Sequence, residues 1–140
     1  MSKQIIRSNF TPDEGVPAPV APYSHTVTYG DLLFVTGQMP IDARTGALAE
    51  GGIVGQTHQV MANLKAVLKA AGTSLERTLM VRAYLSSMEL FEAFNDVYAT
   101  YFVGNLPART CVSVTGMACH ADLEIDLIVG VGDMDPRSSN

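Results

Sequence analysis

From Leu123 to Val131 the sequence alternates with a period of two: Leu123, Ile125, Leu127, Val129 and Val131 share one face, and Glu124, Asp126, Ile128 and Gly130 the other. A strand sends successive side chains to opposite sides, so this run predicts one wholly apolar face and one mixed face. An apolar sheet face must be covered. The chain is therefore expected to fold as a sheet with helices packed beneath that face.

The remaining stretches supply those parts. Phe10 to Pro22 carries Pro12, Pro17, Pro19 and Pro22 with Gly15, which excludes a helix or central strand and predicts a surface loop over 10–22. His25 to Tyr29 and Leu32 to Thr36 favour strands around a Gly30-Asp31 turn, a β-hairpin. Asp42 to Gly52 is a glycine-bearing loop. It leads into a helix over about Ile53 to Ala71, with Val60, Met61, Leu64, Val67, Leu68 and Ala71 as its buried stripe and Gly72 as its C′ residue. Arg77 to Ser86 alternates as a strand, with Leu79, Val81, Ala83 and Leu85 on one face. A second helix is expected from about Met88 to Phe102, opened by a Ser86/Glu89 capping box and lined by Leu90, Phe91, Phe94, Val97, Tyr98 and Tyr101. Cys111 to Val114 forms a further alternating run, and Asp133 to Asn140 reads as a frayed polar tail. The order β-β-α-β-α-β-β predicts an α+β two-layer sandwich, one domain over residues 1–140, with two helices on one face of a mixed sheet.

Composition narrows the function. Lys and Arg number 9 against 14 acids, for a net charge of −5, and no basic run is interleaved with aromatics, so nucleic acid is not the expected partner. No segment is apolar for long enough to span a bilayer and the first residues carry no signal-peptide pattern, so a soluble, cytoplasmic protein is expected. Cys111 and Cys119 form neither a disulfide framework nor a CxxC pair, and His25, His58 and His120 lack ligand spacing; no metal or cofactor is expected.

Arg109, just before the Cys111 run, and Glu124, inside the last run, place a cation and a carboxylate on neighbouring extended segments. An arginine fork grips a carboxylate through two parallel hydrogen bonds, and a nearby glutamate can handle a proton or a water. The same pair would equally serve as a structural ion pair, and on spacing alone that is the commoner arrangement. The mixed strand faces are expected to gather Arg82, Tyr84, Cys111, Ser113, Glu124 and Asp126, which suits either contact with a partner subunit or simple solvation.

Six motifs then occur in order: Pro22-Tyr23-Ser24, Thr36-Gly37-Gln38-Met39-Pro40, Gln56 to Gln59 with Asn63 to Leu68, Phe94-Asn95-Asp96-Val97-Tyr98, Pro107-Ala108-Arg109 with Cys111-Val112, and Leu123-Glu124-Ile125. Together they resemble the Rid family, the YjgF-like reactive intermediate deaminases also labelled L-PSP endoribonuclease-like. The resemblance implies a chorismate-mutase-like fold and a homotrimer with sites in clefts between subunits. It also implies cofactor-free hydrolysis of 2-imino acids and 2-aminoacrylate-type enamines to 2-oxo acids and ammonia. By motif position Arg109 would bind the substrate carboxylate, Glu124 would serve the attacking water, Tyr23 would offer a phenol, and Cys111, Ser24, Gly37 and Asn95 would line the cleft. Cys111 is not expected as a nucleophile, because no histidine is motif-paired with it.

The chain also departs from that pattern. Ala21 and His25 flank Pro-Tyr-Ser where Rid deaminases usually carry glycine and glutamine, Thr110 replaces a serine, and Ala118-Cys119 stands where many members carry Pro-Lys. The segment from Phe10 to Val20 is longer than in compact members. Two other functions fit the same resemblance: a trimeric metabolite-binding or interaction module with little catalysis, and a ribonuclease or translation inhibitor.

Overall fold

A computed structural model of the chain describes residues 3–133, so the expected tail lies outside them beyond Asp133. Its strands are β1 (Ile5–Ser8), β2 (Thr26–Tyr29), β3 (Leu32–Gln38), β4 (Thr78–Leu85), β5 (Ala108–Ser113) and β6 (Leu123–Gly130), with helices α1 (Gly52–Ala70) and α2 (Phe91–Tyr98). The sheet order is β1-β2-β3-β6-β4-β5. All neighbours pair antiparallel except β4 and β5, which α2 joins as a right-sized crossover for parallel strands. The fold is the α+β two-layer sandwich expected from the patterns, and it is chorismate-mutase-like, as the resemblance implies.

The alternation in β6 does what it predicts. Leu123, Ile125, Leu127 and Val129 are buried together with Leu33, Val35, Val81, Ala83 and Leu85 from the neighbouring strands, and α1 covers them with Val60, Met61, Leu64, Val67 and Leu68. Helix α2 adds Phe94 and Tyr98. Gly72, at φ 81°, follows α1 in the left-handed conformation that a C′ residue needs. Asn63 is buried in α1 and donates to the carbonyls of Met39 and Ile41, tying the chain after β3 to the helix.

Several expectations need correction. Strand β1 is additional: Ile5 to Ser8 pairs with β2, yet four mostly exposed residues carry no alternation to announce it. Helix α2 is shorter than expected. Met88–Leu90 form a 3₁₀ turn, and beyond Tyr98 the amides of Thr100 and Tyr101 reach back only three residues, to Val97 and Tyr98. The capping box from Ser86 does not form, because the Ser86 hydroxyl donates to Asp122 at 2.7 Å, while Ser87 accepts the Glu89 amide at 3.1 Å. In β4 the partners step from Thr78↔Val129 to Met80↔Ile128, a bulge that throws Leu79 off the core face, where it is 51% exposed.

Candidate functional site

Consecutive in the chain, β5 and β6 are not neighbours in the sheet; β4 runs between them. Register then fixes which way each side chain points. Arg109 lies opposite Val81 and Cys111 opposite Ala83, both buried beneath the helices, whereas Glu124 lies opposite Tyr84. Arg109 and Cys111 therefore share the helix side, and Glu124 occupies the open side. This corrects two expectations: Arg109 and Glu124 are not a structural ion pair, and Cys111 and Ser113 do not belong to the mixed face with Glu124.

On the helix side, Arg109 is cradled by α2. Its guanidinium carbon lies 4.7 Å from the Tyr98 ring centroid, 5.3 Å from Phe94 and 5.7 Å from Phe91. One terminal nitrogen donates to the Asn95 side-chain oxygen at 2.5 Å. Aromatic faces attract the cation without competing for its in-plane N–H groups. Among the described residues no carboxylate lies within 4.0 Å of this guanidinium. Burial pushes the Tyr98 phenol and the Cys111 thiol up, with the nearby Arg109 charge opposing both shifts, so Cys111 sits as a neutral thiol beside the cation. The aromatic residues of α2 were legible as a core stripe; that the same stripe is a seat for Arg109 was not. Its signal was Asn95 standing inside the stripe.

On the open side, Glu124 packs against Gly37. A bulge in β3 between Val35 and Gln38 brings the strand so close that a Cβ on Gly37 would lie 2.5 Å from Glu124 Oε2. A side chain at this position would fit only if the Glu124 carboxyl moved aside. Desolvation first, and the Asp126 carboxylate second, push Glu124 above the ordinary glutamate value. Asp126 is held by Arg82 Nε at 2.7 Å and by the Tyr84 hydroxyl at 3.1 Å, so Glu124 is left without that arginine.

Tyr23 and Ser24 lie where the chain enters β2, and His25 extends the hairpin by accepting the Thr36 amide at 3.0 Å, one residue before Gly37. The Tyr23 hydroxyl accepts the Val20 amide at 3.3 Å. The structure thus gathers the candidates into two groups, Arg109, Cys111 and Asn95 on one side, and Glu124 with Gly37 on the other, Tyr23 and Ser24 being close to Gly37 along the hairpin. A cleft of about 780 Å³ beside α1, lined by Asp42, Glu50, His58 and Tyr101 among others, contains none of them. His120 and Cys119, both left-handed at φ 55° and 61°, lie exposed in the loop before β6. Among the described residues no cluster of three His, Cys, Asp or Glu stands ready to hold a metal ion, and no helix is long and apolar enough to cross a membrane.

The pattern of the endoribonuclease L-PSP family matches residues 14–131. The chain belongs to the endoribonuclease L-PSP (Rid) family. A RutC family protein of Pyrococcus horikoshii is 44% identical over 115 residues, 82% of this chain and 91% of that one. The 2-iminobutanoate/2-iminopropanoate deaminase of Mus musculus is 34% identical over 116 residues, 83% of this chain and 86% of its own. YyfA of Yersinia pestis, a protein of unknown function of the conserved Rid family, superposes with a TM-score of 0.85 at 33% identity, covering 91% of this chain and all of that one.

Proposed function

We propose that this Rid protein hydrolyses 2-imino acids and their enamine tautomers to 2-oxo acids and ammonia, without a cofactor, at sites completed between copies of the chain. The observation that carries this reading is the Arg109 guanidinium: seated on three aromatic faces, held at one nitrogen by Asn95, and free of any carboxylate partner among the described residues. It is a fork prepared for a carboxylate that the chain does not itself provide. The likeness to the mouse imine deaminase supports the substrate class.

Arg109 grips the substrate carboxylate and so fixes the adjacent imine carbon, already electrophilic once its nitrogen is protonated. Glu124, with its proton affinity raised by burial and by Asp126, takes a proton from the water that adds to that carbon. The proton on Glu124 passes to the amino nitrogen of the tetrahedral carbinolamine, the C–N bond breaks to release ammonia, and the hydroxyl proton returns to the Glu124 carboxylate as the carbonyl forms. Because Arg109 and Glu124 point to opposite faces of one sheet, the water-handling group comes from a neighbouring copy. Phe34 and Val112, each more than 40% exposed on the open face, supply apolar surface for such an assembly, in keeping with the homotrimer that the motifs imply.

The test is the decay of 2-iminopropionate, generated in place by an amino acid oxidase and trapped with semicarbazide. Wild type should accelerate the decay, and Arg109→Ala should abolish that acceleration while remaining folded. A decay rate equal to buffer in the presence of wild type, for this and for bulkier imines, would sink the deaminase reading.

A further inference from the structure

His25 is fully buried, at 0% exposure, and neither the carboxylate grip nor the water step uses it. Both ring nitrogens are nevertheless committed. Nδ1 accepts the Phe10 amide at 2.9 Å, and Nε2 lies 3.0 Å from the Pro17 carbonyl oxygen. An amide can only donate and a carbonyl can only accept, so the ring must be the neutral tautomer with its proton on Nε2. The backbone of the same residue is equally engaged: its N–H donates to Asn9 Oδ1 at 3.0 Å and its carbonyl accepts the Thr36 amide. The Phe10 ring stacks on the imidazole at 12°, and the Tyr23 ring meets it edge-on at 71°.

One side chain thus joins the residues after β1, the proline-rich segment and the start of β2. Val16, fully buried in the core, anchors the middle of that segment, but few of its backbone groups reach the rest of the chain. Four prolines between residues 12 and 22 remove amide donors, and most of its own backbone bonds close local turns: Glu14 and Val16 to Thr11, Gly15 to Pro12, and Tyr23 to Ala21. Tyr23 and Ser24 hang at its far end, immediately before His25.

We propose that His25 is a positioning residue: it clamps the proline-rich segment to the sheet from both ring nitrogens and thereby sets where Tyr23 and Ser24 stand beside Gly37. This rests on the hydrolytic reading above for its catalytic consequence, and on the hydrogen bonds alone for the clamp. It also gives physical sense to the departure from glutamine noted in the sequence. A primary amide also offers an acceptor and a donor at similar reach. An aliphatic side chain fills the space and offers neither.

Amide hydrogen exchange by NMR and imine turnover, measured on wild type, His25→Gln and His25→Leu, separate these roles. In wild type the Phe10 and Val20 amides should exchange at least about a hundredfold more slowly than open loop amides. His25→Leu should release both while Ile125 and Leu127 in β6 stay protected, and should lower kcat about tenfold or more with a smaller change in KM, since Arg109 is untouched. His25→Gln should recover both readouts to within about threefold. Free exchange of Phe10 in wild type would overturn the clamp without needing any variant to fold. Unchanged protection in His25→Leu, released amides with undiminished kcat, or a Gln variant as impaired as Leu would each overturn positioning in favour of simple space-filling. Were wild type inert toward imines, the reaction would fall, and the exchange data alone would decide the clamp.

Discussion

Gly37 and Glu124 set the tightest constraint at the level of single residues. Adding one methyl at Gly37 brings it against the Glu124 carboxyl at 2.5 Å from Oε2, so the carboxyl must turn away. Gly37→Ala should therefore cut kcat by about tenfold to a hundredfold while thermal unfolding shifts little, an effect of misplacement and not of folding; undiminished turnover in the variant would mean that Glu124 does not act from this position. The same carboxyl makes a prediction in pH. Its native pKa is raised, by burial first and Asp126 second, so the folded chain holds this proton more tightly than the unfolded chain does. Its contribution favours folding at low pH and is lost as pH rises through the native value. Glu124→Gln should match wild type in acid and become the more stable protein toward neutral pH, read as a difference in unfolding temperature that grows with pH; a constant offset would contradict the raised value. The identities of Arg109 and Glu124 as candidates were readable from their motifs, whereas their facing was not. Parity along β5 depends on its register with β4, and nothing local to Ala108–Ser113 states that register.

Elements differ in how openly they declare themselves. Helix α1 was legible almost to the residue because its stripe is long, apolar and closed by Gly72. Strand β1 was not, since its four residues are stabilised by pairing with β2 and bury no face of their own. In β4 the alternation was correct from Val81 onward, but it placed Leu79 inside, because a bulge inserts one residue without leaving a mark in a pattern of apolar letters. A contrast follows. Phe94, at 0% exposure between the core and Arg109, should cost about 3–5 kcal/mol when replaced by alanine. Leu79→Ala should change stability by only about 0.5 kcal/mol or less, as surface positions do. Chemical denaturation of the two variants checks the pair, and a Leu79 cost near that of Phe94 would put the bulge in the wrong place.

For the whole molecule, the decisive fact is that Arg109 and Glu124 stand on opposite faces of one sheet, with β4 between their strands. Under the proposed mechanism a lone chain owns two halves of different sites and no complete one. The consequence is genetic as much as chemical: two dead proteins mixed together should make a live one. Arg109→Ala and Glu124→Gln chains, each inert alone, would regain activity when unfolded and refolded as an equal mixture, because about a quarter of the newly formed sites would draw a sound arginine from one parent and a sound glutamate from the other. Mixed assemblies without any recovered turnover would show that each site draws both groups from a single chain. Recovery would mean that a defective copy in a cell is neither wholly lost nor wholly harmless, since it lends its intact half to one neighbour while spoiling the site it shares with another.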